Sequence, residues 1–192
     1  MTLSASRGYI FSVNKAVFLD RDGTLISYRL QGLSPYNVRL LPGAAAGIRL
    51  LDKAGFKLIV ITNQPSVARG LISLGDLDKV HADLERRLTR FGAKLDAVYA
   101  CPHEHADGCV CRKPQSGMVE EAIKEFNIDP KKSFFVGDST RDIETGLRAR
   151  IKTILVLTGE GGRDKRFYDP KPDWKARNLL DAAKIILANE QD

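Results

Sequence analysis

The sequence predicts an α/β protein built in three layers, with a mainly parallel β-sheet between two layers of helices. Five short runs of the 192-residue chain are mostly apolar, and segments with helical periodicity separate them. Strands that are buried on both faces carry continuous apolar runs of this kind. Regular alternation of such strands with helices is typical of a parallel sheet. The length suits one ordinary domain, and we expect residues 1–192 to form it.

The predicted elements follow one another in a regular order. Each helical segment carries apolar residues three or four positions apart. Gly55 and Gly92 end the first two helices, as glycine often does at helix C-termini. The predicted strands are 16–19, 57–61, 95–100, 133–136 and 153–157, and the predicted helices are 48–53, 74–91, 117–126, 142–150 and 179–188.

Composition and charge exclude several classes of protein. The chain is 43% hydrophobic and 28% charged, which is typical of globular rather than disordered proteins. No window approaches the roughly 18 consecutive apolar residues of a membrane helix, and residues 1–14 lack the apolar region of a signal peptide. We therefore expect a soluble, cytoplasmic protein with no membrane partner. The formal net charge is +6, but the basic residues are scattered and no aromatic–basic platform accompanies them, so we expect no nucleic-acid partner.

Polar residues follow the predicted strands at the points where the strands end. In a parallel sheet, ligands bind outside the carboxyl ends of the strands, so these residues are the first candidates for a functional site. They are Asp20, Thr62, Cys101, Asp138 and Thr158. Two acids and two hydroxyl groups at one edge of a sheet indicate chemistry rather than packing.

The segment Asp20-Arg-Asp22-Gly-Thr24 directly follows the first predicted strand. Two carboxylates on a turn opened by glycine can hold a hard cation through oxygen ligands. One of them could attack an electrophile while the other handles the proton of the leaving group. A simple polar turn is the alternative for this motif alone, whereas the rest of a calcium-binding EF-hand loop is absent.

Three further segments are weak signals when each is taken alone. Thr62-Asn63-Gln64 could bind phosphate oxygens, although a strand-end threonine is often only a helix cap. Arg112-Lys113 offers a forked donor and a compact charge for a phosphoryl group, although basic pairs are mostly solvated. Asp138 and Asp142 add carboxylates after the fourth strand, where a turn is the alternative.

The chain has three cysteines, which are Cys101, Cys109 and Cys111, and His103 and His105 lie among them. An odd number of cysteines within eleven positions does not indicate a disulfide framework. The cluster predicts a metal site, with ordinary buried thiols as the alternative.

The order of these motifs resembles the haloacid dehalogenase (HAD) superfamily of phosphatases over about residues 15–159. The resemblance rests on Asp-x-Asp-Gly-Thr at residue 20, the strand-end Thr62, Lys113 and the strand-end Asp138. It implies a three-layer, Rossmann-like HAD fold. It also implies that Asp20 is the nucleophile that becomes an aspartyl-phosphate, and that Asp22 acts as general acid and then general base.

The same resemblance implies a catalytic Mg²⁺ held by Asp20, the backbone carbonyl of Asp22 and Asp138. Thr62 and Lys113 would steady the transferring phosphoryl group, in keeping with a reaction that needs mainly positioning and charge neutralisation. Ser139 departs from the family pattern, because relatives often carry a basic residue there. The roles of Ser139 and Asp142 stay open.

A narrower resemblance involves Cys101-Pro-His103 and Cys109-Val-Cys111-Arg-Lys-Pro. These residues resemble the zinc loop of the D-glycero-D-manno-heptose 1,7-bisphosphate phosphatase and histidinol-phosphatase subfamily. The resemblance implies a zinc-binding loop at about 101–111 with ligands Cys101, His103, Cys109 and Cys111. The family spacing Cys-x-His favours His103 over His105. Three thiolates and one imidazole suit a closed, structural Zn²⁺ site.

The gaps between motifs are too short for a separate cap domain, so loops, chiefly 28–37 and the zinc loop, would set specificity. The segment 64–70 resembles the Gln-x-x-Ile-Ala-Arg-Gly run of the heptose enzymes, which favours Mg²⁺-dependent hydrolysis of a heptose bisphosphate over histidinol phosphate or another sugar phosphate. We expect a monomer with a small phosphorylated sugar as its partner. The expected substrate contacts are Arg112, Asn63, Gln64, Arg69 and Tyr28, with Arg69 and Arg112 anchoring a second phosphate.

One alternative from a different class is a zinc-containing module that binds nucleic acid without catalysis. It would explain the cysteine cluster and the basic pI of about 9.3. It would leave Asp20, Asp22 and Asp138 unexplained, because three acids at a binding edge repel a phosphate backbone unless a cation lies between them. Release of phosphate that depends on Mg²⁺ distinguishes the two classes.

Overall fold

The structure is a computed structural model that describes residues 13–27, 38–164 and 169–190. The predicted substrate contact Tyr28 and its loop 28–37 lie outside the described residues. Among the described helices, none has both the length and the apolar character that crossing a membrane requires.

Within the described residues, six strands form one parallel sheet in the order β3-β2-β1-β4-β5-β6. The strands are β1 Ala16–Leu19, β2 Lys57–Asn63, β3 Ala97–Cys101, β4 Phe134–Gly137, β5 Lys152–Val156 and β6 Trp174–Ala176. β1 pairs with β2 on one side and with β4 on the other. The carboxyl end of β1 therefore lies at the centre of the sheet edge, with the ends of β2 and β4 beside it.

Helices cover both faces of the sheet. They are α1 Ala44–Lys53, α2 Leu74–Thr89, α3 Gly117–Glu125, α4 Thr140–Arg148 and α5 Leu179–Ala188, and short 3₁₀ turns occupy His105–Asp107 and Pro130–Lys132. On one face, α1, α2 and α5 pack on strand residues such as Val60 and Phe134. On the other face, α3 packs against Phe18 and Ile61. α4 lies so close to this second face that a Cβ at Gly146 would be 3.0 Å from the Cβ of Phe135.

The three-layer α/β prediction is confirmed, and the five predicted strands and five predicted helices are present with ends shifted by a few residues. The sixth strand, β6, was not predicted from the sequence. It has only three residues with an exposed Lys175 between the half-buried Trp174 and the buried Ala176. This alternation is typical of an edge strand rather than of a strand with two covered faces.

Candidate active site

Asp20 and Lys113 form the centre of a buried charged cluster at the carboxyl edge of the sheet. The Nζ atom of Lys113 donates hydrogen bonds to Oδ1 of Asp20 at 2.6 Å and to Oδ1 of Asp142 at 2.7 Å. It also donates to the carbonyl oxygen of Ile61 at 2.7 Å. The Lys113 side chain is only 4% exposed. One lysine therefore uses all three of its donors inside the protein and bridges two carboxylates.

Three aspartates meet at this cluster, since carboxylate oxygens of Asp20, Asp138 and Asp142 lie within 4.8 Å of one another. Burial raises the pKa of Asp138 to about 8, and the nearby carboxylates of Asp20 and Asp142 add to the rise. Burial also raises the pKa of Asp20 to about 7, although Lys113 opposes this. Three acids against one lysine leave an excess of negative charge, which a divalent cation would neutralise.

Lys113 itself stays charged in this environment. Burial alone would lower the pKa of Lys113, but the facing carboxylates of Asp142 and Asp20 raise it above its ordinary value. The positive charge is therefore fixed next to Asp20. This is the arrangement that phosphoryl transfer needs, because the reaction depends on neutralising phosphate oxygens.

The Asp138 carboxylate is fixed between two glycines. Its Oδ2 accepts the backbone N–H of Glu160 at 2.6 Å. A Cβ would lie 2.2 Å from this oxygen at Gly23 and 2.0 Å from it at Gly159, and the φ angles there are +87° and +53°. Both positions thus need glycine for the space that the carboxylate fills and for the left-handed backbone. Asp138 is preorganised to offer oxygen to a cation.

These carboxylate oxygens fit Mg²⁺, which prefers carboxylate and carbonyl oxygens as ligands. Asp142 is less available than its neighbours. Its Oδ1 accepts from Lys113, and its Oδ2 accepts the backbone N–H of Ser139 at 3.0 Å. Asp20 and Asp138 are therefore the side chains best placed to hold the ion. Asp142, whose role the sequence left open, instead holds Lys113 and the first turn of α4.

Two neighbouring side chains, Arg21 and Gln64, donate hydrogen bonds to one carboxylate oxygen of Asp22. Its Oδ2 accepts from Nη2 of Arg21 at 2.7 Å and from Nε of Arg21 at 3.1 Å. The same oxygen accepts from Nε2 of Gln64 at 2.9 Å, and Gln64 also lies 2.8 Å from Oγ1 of Thr62. Because Oδ2 already has three donors, Oδ1 is the oxygen left to exchange a proton with a ligand.

Arg21 was missed as a site residue by the sequence analysis. It is only 3% exposed, and its Nη1 lies 3.1 Å from Nε2 of His81 on α2. Burial and the charge of Arg21 lower the pKa of His81 to about 4. The ring is therefore neutral at neutral pH, so Nε2 can accept the Arg21 proton. His81 in this way supports the guanidinium that holds Asp22.

A cavity of about 130 Å³ opens above the aspartates. Its lining residues are Asp20, Asp22, Thr62, Asn63, Pro65, Arg112, Lys113, Asp138, Ser139, Arg141 and Asp142. Most of the residues predicted for the catalytic, substrate and Mg²⁺ sites are thus brought together here, whereas Gln64 and Arg69 are not among the lining residues.

Asn63 lines the cavity but is also a structural brace. Its Nδ2 donates to the carbonyl oxygen of Lys113 at 3.1 Å, and its Oδ1 accepts the N–H of Lys113 at 3.0 Å. The residue at the end of β2 therefore fixes the backbone of Lys113 through two hydrogen bonds. The side-chain amide of Gln64 donates hydrogen bonds to Asp22 and Thr62. The amide side chains of Asn63 and Gln64 therefore both position other groups of the site.

Arg69 does not line the cavity. Its guanidinium forms an ion pair with Glu104, in which Nη2 lies 3.2 Å from Oε2. Binding a substrate phosphate would compete with this carboxylate. Nothing in the spacing of the sequence indicated the pair, since the two residues are 35 positions apart.

The cysteine cluster lies beside this cavity. The Sγ atom of Cys111 lies 3.2 Å from that of Cys101, 3.3 Å from that of Cys109 and 3.2 Å from Nδ1 of His103. These sulfur separations are far longer than a disulfide bond of about 2.05 Å. The four ligand atoms lie within 4.8 Å of one another. His105 lies in the exposed 3₁₀ turn, and it is His103 that joins the cysteines.

The loop that carries the cysteines also positions the basic residues of the site. Cys101 ends β3, and its carbonyl oxygen accepts the N–H of Gln64 at 2.7 Å. Arg112 directly follows Cys111, and its Nη1 donates to the carbonyl oxygen of His103 at 2.9 Å. Lys113 is the next residue. A metal in this loop would therefore hold Arg112 and Lys113 in place.

A central nucleophile candidate, a buried lysine and a strand-end aspartate on this parallel sheet define a HAD-like hydrolase. In agreement, a family model described as HAD-hydrolase-like matches residues 110–182. A crystal structure of D,D-heptose 1,7-bisphosphate phosphatase from Bordetella bronchiseptica, complexed with magnesium and phosphate, aligns with a TM-score of 0.84. The sequence identity is 32%, and the alignment covers 91% of this chain and 98% of that one.

Curated relatives show which family of HAD-like hydrolases the chain resembles. The D-glycero-β-D-manno-heptose-1,7-bisphosphate 7-phosphatase of Haemophilus influenzae is 40% identical over 156 residues, which cover 77% of this chain and 84% of that protein. The protein of the same name from Yersinia pestis is 35% identical over 182 residues, covering 90% and 95%. The chain belongs to the D-glycero-β-D-manno-heptose-1,7-bisphosphate 7-phosphatase family of HAD-like hydrolases.

Proposed function

We propose that this protein is a Mg²⁺-dependent phosphoric monoester hydrolase that removes the 7-phosphate of D-glycero-β-D-manno-heptose 1,7-bisphosphate. The observation that carries the proposal is the contact of Lys113 with Asp20 at the centre of the sheet edge, with Asp138 beside it. Relatives with this activity named are 34–40% identical to the chain. The family resemblance and the site chemistry agree.

The chain's own residues account for the steps of the reaction. A carboxylate oxygen of Asp20 attacks phosphorus, so that an aspartyl-phosphate forms as the bond from phosphorus to the sugar oxygen breaks. Asp22 gives its proton to that sugar oxygen. Asp22 then takes a proton from water, the water oxygen attacks phosphorus, and inorganic phosphate leaves with Asp20 restored. Oδ1 of Asp22 carries these protons, because Oδ2 is occupied by Arg21 and Gln64.

Binding of the phosphoryl group falls to residues that surround Asp20. Asp20, Asp138 and the backbone carbonyl of Asp22 would hold Mg²⁺, which when bound neutralises phosphoryl charge and orients the group. Lys113 adds a fixed positive charge, and Thr62 lines the same cavity. Arg112, which lies at the end of the cysteine loop, would contact the rest of the substrate.

A phosphate-release assay tests the proposed function. We expect release that requires Mg²⁺, with a higher kcat/KM for the β-anomer of heptose 1,7-bisphosphate than for the α-anomer or for histidinol phosphate. A preference for histidinol phosphate would contradict the proposed substrate. Binding of RNA without any release of phosphate would instead support a non-catalytic module.

We also propose that Cys101, His103, Cys109 and Cys111 bind one structural Zn²⁺. Their ligand atoms converge, and three thiolates with one imidazole are a common set for closed tetrahedral zinc sites. The site lies apart from Asp20, so it would act by ordering the loop before Lys113. The single domain predicted for residues 1–192 is likewise a proposal, and it is supported by one sheet that takes strands from β1 to β6.

Replacing Cys109 with serine is expected to lower the zinc content and the activity together. Serine removes one thiolate, so the loop loosens and the Lys113 clamp is misplaced. Elemental analysis would give the zinc content, and kcat/KM would report the activity. His105→Ala is the matched control, because His105 lies in the same loop outside the four-residue cluster. Full activity in zinc-free protein, or equal zinc loss in both variants, would contradict this role.

A further inference from the structure

Among the described residues, three cations line the cavity above the aspartates, namely Arg112, Lys113 and Arg141, and Lys113 and Arg141 lie at different depths. Lys113 is at the bottom with a side chain that is 4% exposed, and its donors are used by Asp20, Asp142 and a carbonyl oxygen. Arg141 is at the mouth, with a side chain that is 44% exposed. The deep cation suits the phosphate that reacts at Asp20. The cation at the mouth suits a group that projects from the cavity.

The guanidinium of Arg141 has donors to spare. Its Nε donates to Oγ of Ser139 at 3.2 Å and lies 3.7 Å from Oδ2 of Asp164. That second separation is too long for a hydrogen bond. Within the described part of the chain, Nη1 and Nη2 of Arg141 make no hydrogen bond. These two groups form the fork that binds a phosphate through two parallel hydrogen bonds.

The position of Arg141 in its helix also points to an anionic ligand. Arg141 lies in the first turn of α4, where the helix dipole disfavours a positive side chain. The backbone donors of that turn are already used, since Thr140 N–H donates to Oδ1 of Asp164 at 2.8 Å and Arg141 N–H donates to Oγ of Ser139 at 3.1 Å. An anion arriving here would therefore meet the Arg141 side chain rather than the helix backbone.

The alternative anchor predicted from the sequence is less well placed. Arg69 is paired with Glu104 and does not line the cavity, whereas Arg141 does. We propose that Arg141, together with Arg112, binds the phosphate of the bisphosphate that is not cleaved, and so sets the preference for a doubly phosphorylated sugar. This inference rests on the proposed function. It also gives the cavity a cation near Ser139.

The test compares heptose 1,7-bisphosphate with heptose 7-phosphate, whose only phosphate is the one that is cleaved. We expect Arg141→Ala to raise KM for the bisphosphate by about tenfold to a hundredfold, as for loss of a charge-assisted hydrogen bond. KM for the monophosphate should change by less than about threefold, since that substrate lacks the second anion. The value of kcat should stay close to wild type for both substrates. Arg141→Lys should give an intermediate KM because it keeps the charge and loses the fork.

Arg148→Ala is the matched control, because it removes the same charge from the other end of α4 at a residue that does not line the cavity. It should leave both KM values unchanged. Equal losses of Arg141→Ala on the two substrates, or no loss on either, would overturn the role of Arg141 while the proposed function stands. A larger KM effect from Arg69→Ala than from Arg141→Ala would place the anchor at Arg69. A wild-type protein that does not hydrolyse the bisphosphate would overturn both proposals.

Discussion

Replacing Asp20 with asparagine is expected to reduce turnover of heptose bisphosphate to below about a hundredth of the wild-type value. The amide is nearly isosteric with the carboxylate but cannot attack phosphorus, so the covalent route is lost rather than slowed. The fold should survive, because the amide oxygen can still accept from Lys113 and one buried negative charge is removed. Steady-state kcat and a thermal unfolding curve would check the two halves of this prediction.

Asp22→Asn is the companion variant that separates the nucleophile from the proton carrier. With an aryl phosphate, whose leaving group needs no proton, it should still form the phosphorylated enzyme and then fail to hydrolyse it. Acid-quenched protein should therefore carry covalent phosphate in Asp22→Asn and none in Asp20→Asn. Residual turnover of Asp20→Asn above about a hundredth would fit a modest acid–base contribution and would argue against Asp20 as nucleophile.

Replacing Lys113 with methionine is expected to damage both stability and catalysis. The change leaves Asp20 and Asp142 buried without their shared cation, and breaking a buried ion pair in this way costs about 3–5 kcal/mol of folding free energy. It also removes the positive charge that opposes the rise in the pKa of Asp20 caused by burial. The loss of one fixed charge at the reacting group should lower kcat/KM by about a hundredfold to a thousandfold. Denaturant unfolding and kinetics measure the two effects separately.

The double variant Lys113→Met with Asp142→Asn distinguishes folding from catalysis. Removing the Asp142 charge relieves the repulsion that the single variant creates, so much of the lost stability should return. The activity should not return, because the phosphoryl group still lacks the charge of Lys113. Recovery of activity in step with stability would mean that Lys113 serves folding alone.

Most of the fold was predictable because the burial pattern of this sheet is simple. A strand such as 57–61 is apolar at every position after Lys57, and the structure buries residues 58–61 on both faces. β6 was missed because its middle residue is a lysine and its three residues show no such run. The start of α4 was placed two residues late. The spacing from Ser139 to Asp142 is that of a capping box, and it would have marked Thr140 as the first residue of the helix.

The residues of the candidate site were easier to predict from the sequence than the contacts that each of them makes. Residues at strand ends share one edge in any parallel sheet, so Asp20, Thr62 and Asp138 could be grouped from the sequence. Which atoms touch depends on side-chain direction, and sequence spacing does not carry that information. The contact of Lys113 with Asp142 spans 29 positions, and it accounts for a residue whose role the sequence left open.

The central place of β1 in the sheet has a consequence for how the chain is made. Lys113 is 93 residues from Asp20, and β1 must pair in parallel with both β2 and β4 before the charged cluster exists. Parallel strands that are far apart in the sequence pair slowly, because the entropy of closing the intervening loop is lost before the strand contacts form. A nascent chain that ends before Phe134 has neither β4 nor Asp142, the second carboxylate that holds Lys113. The proposed Mg²⁺ ligands Asp20 and Asp138 can therefore come together only late in synthesis, after most of the sheet has been translated.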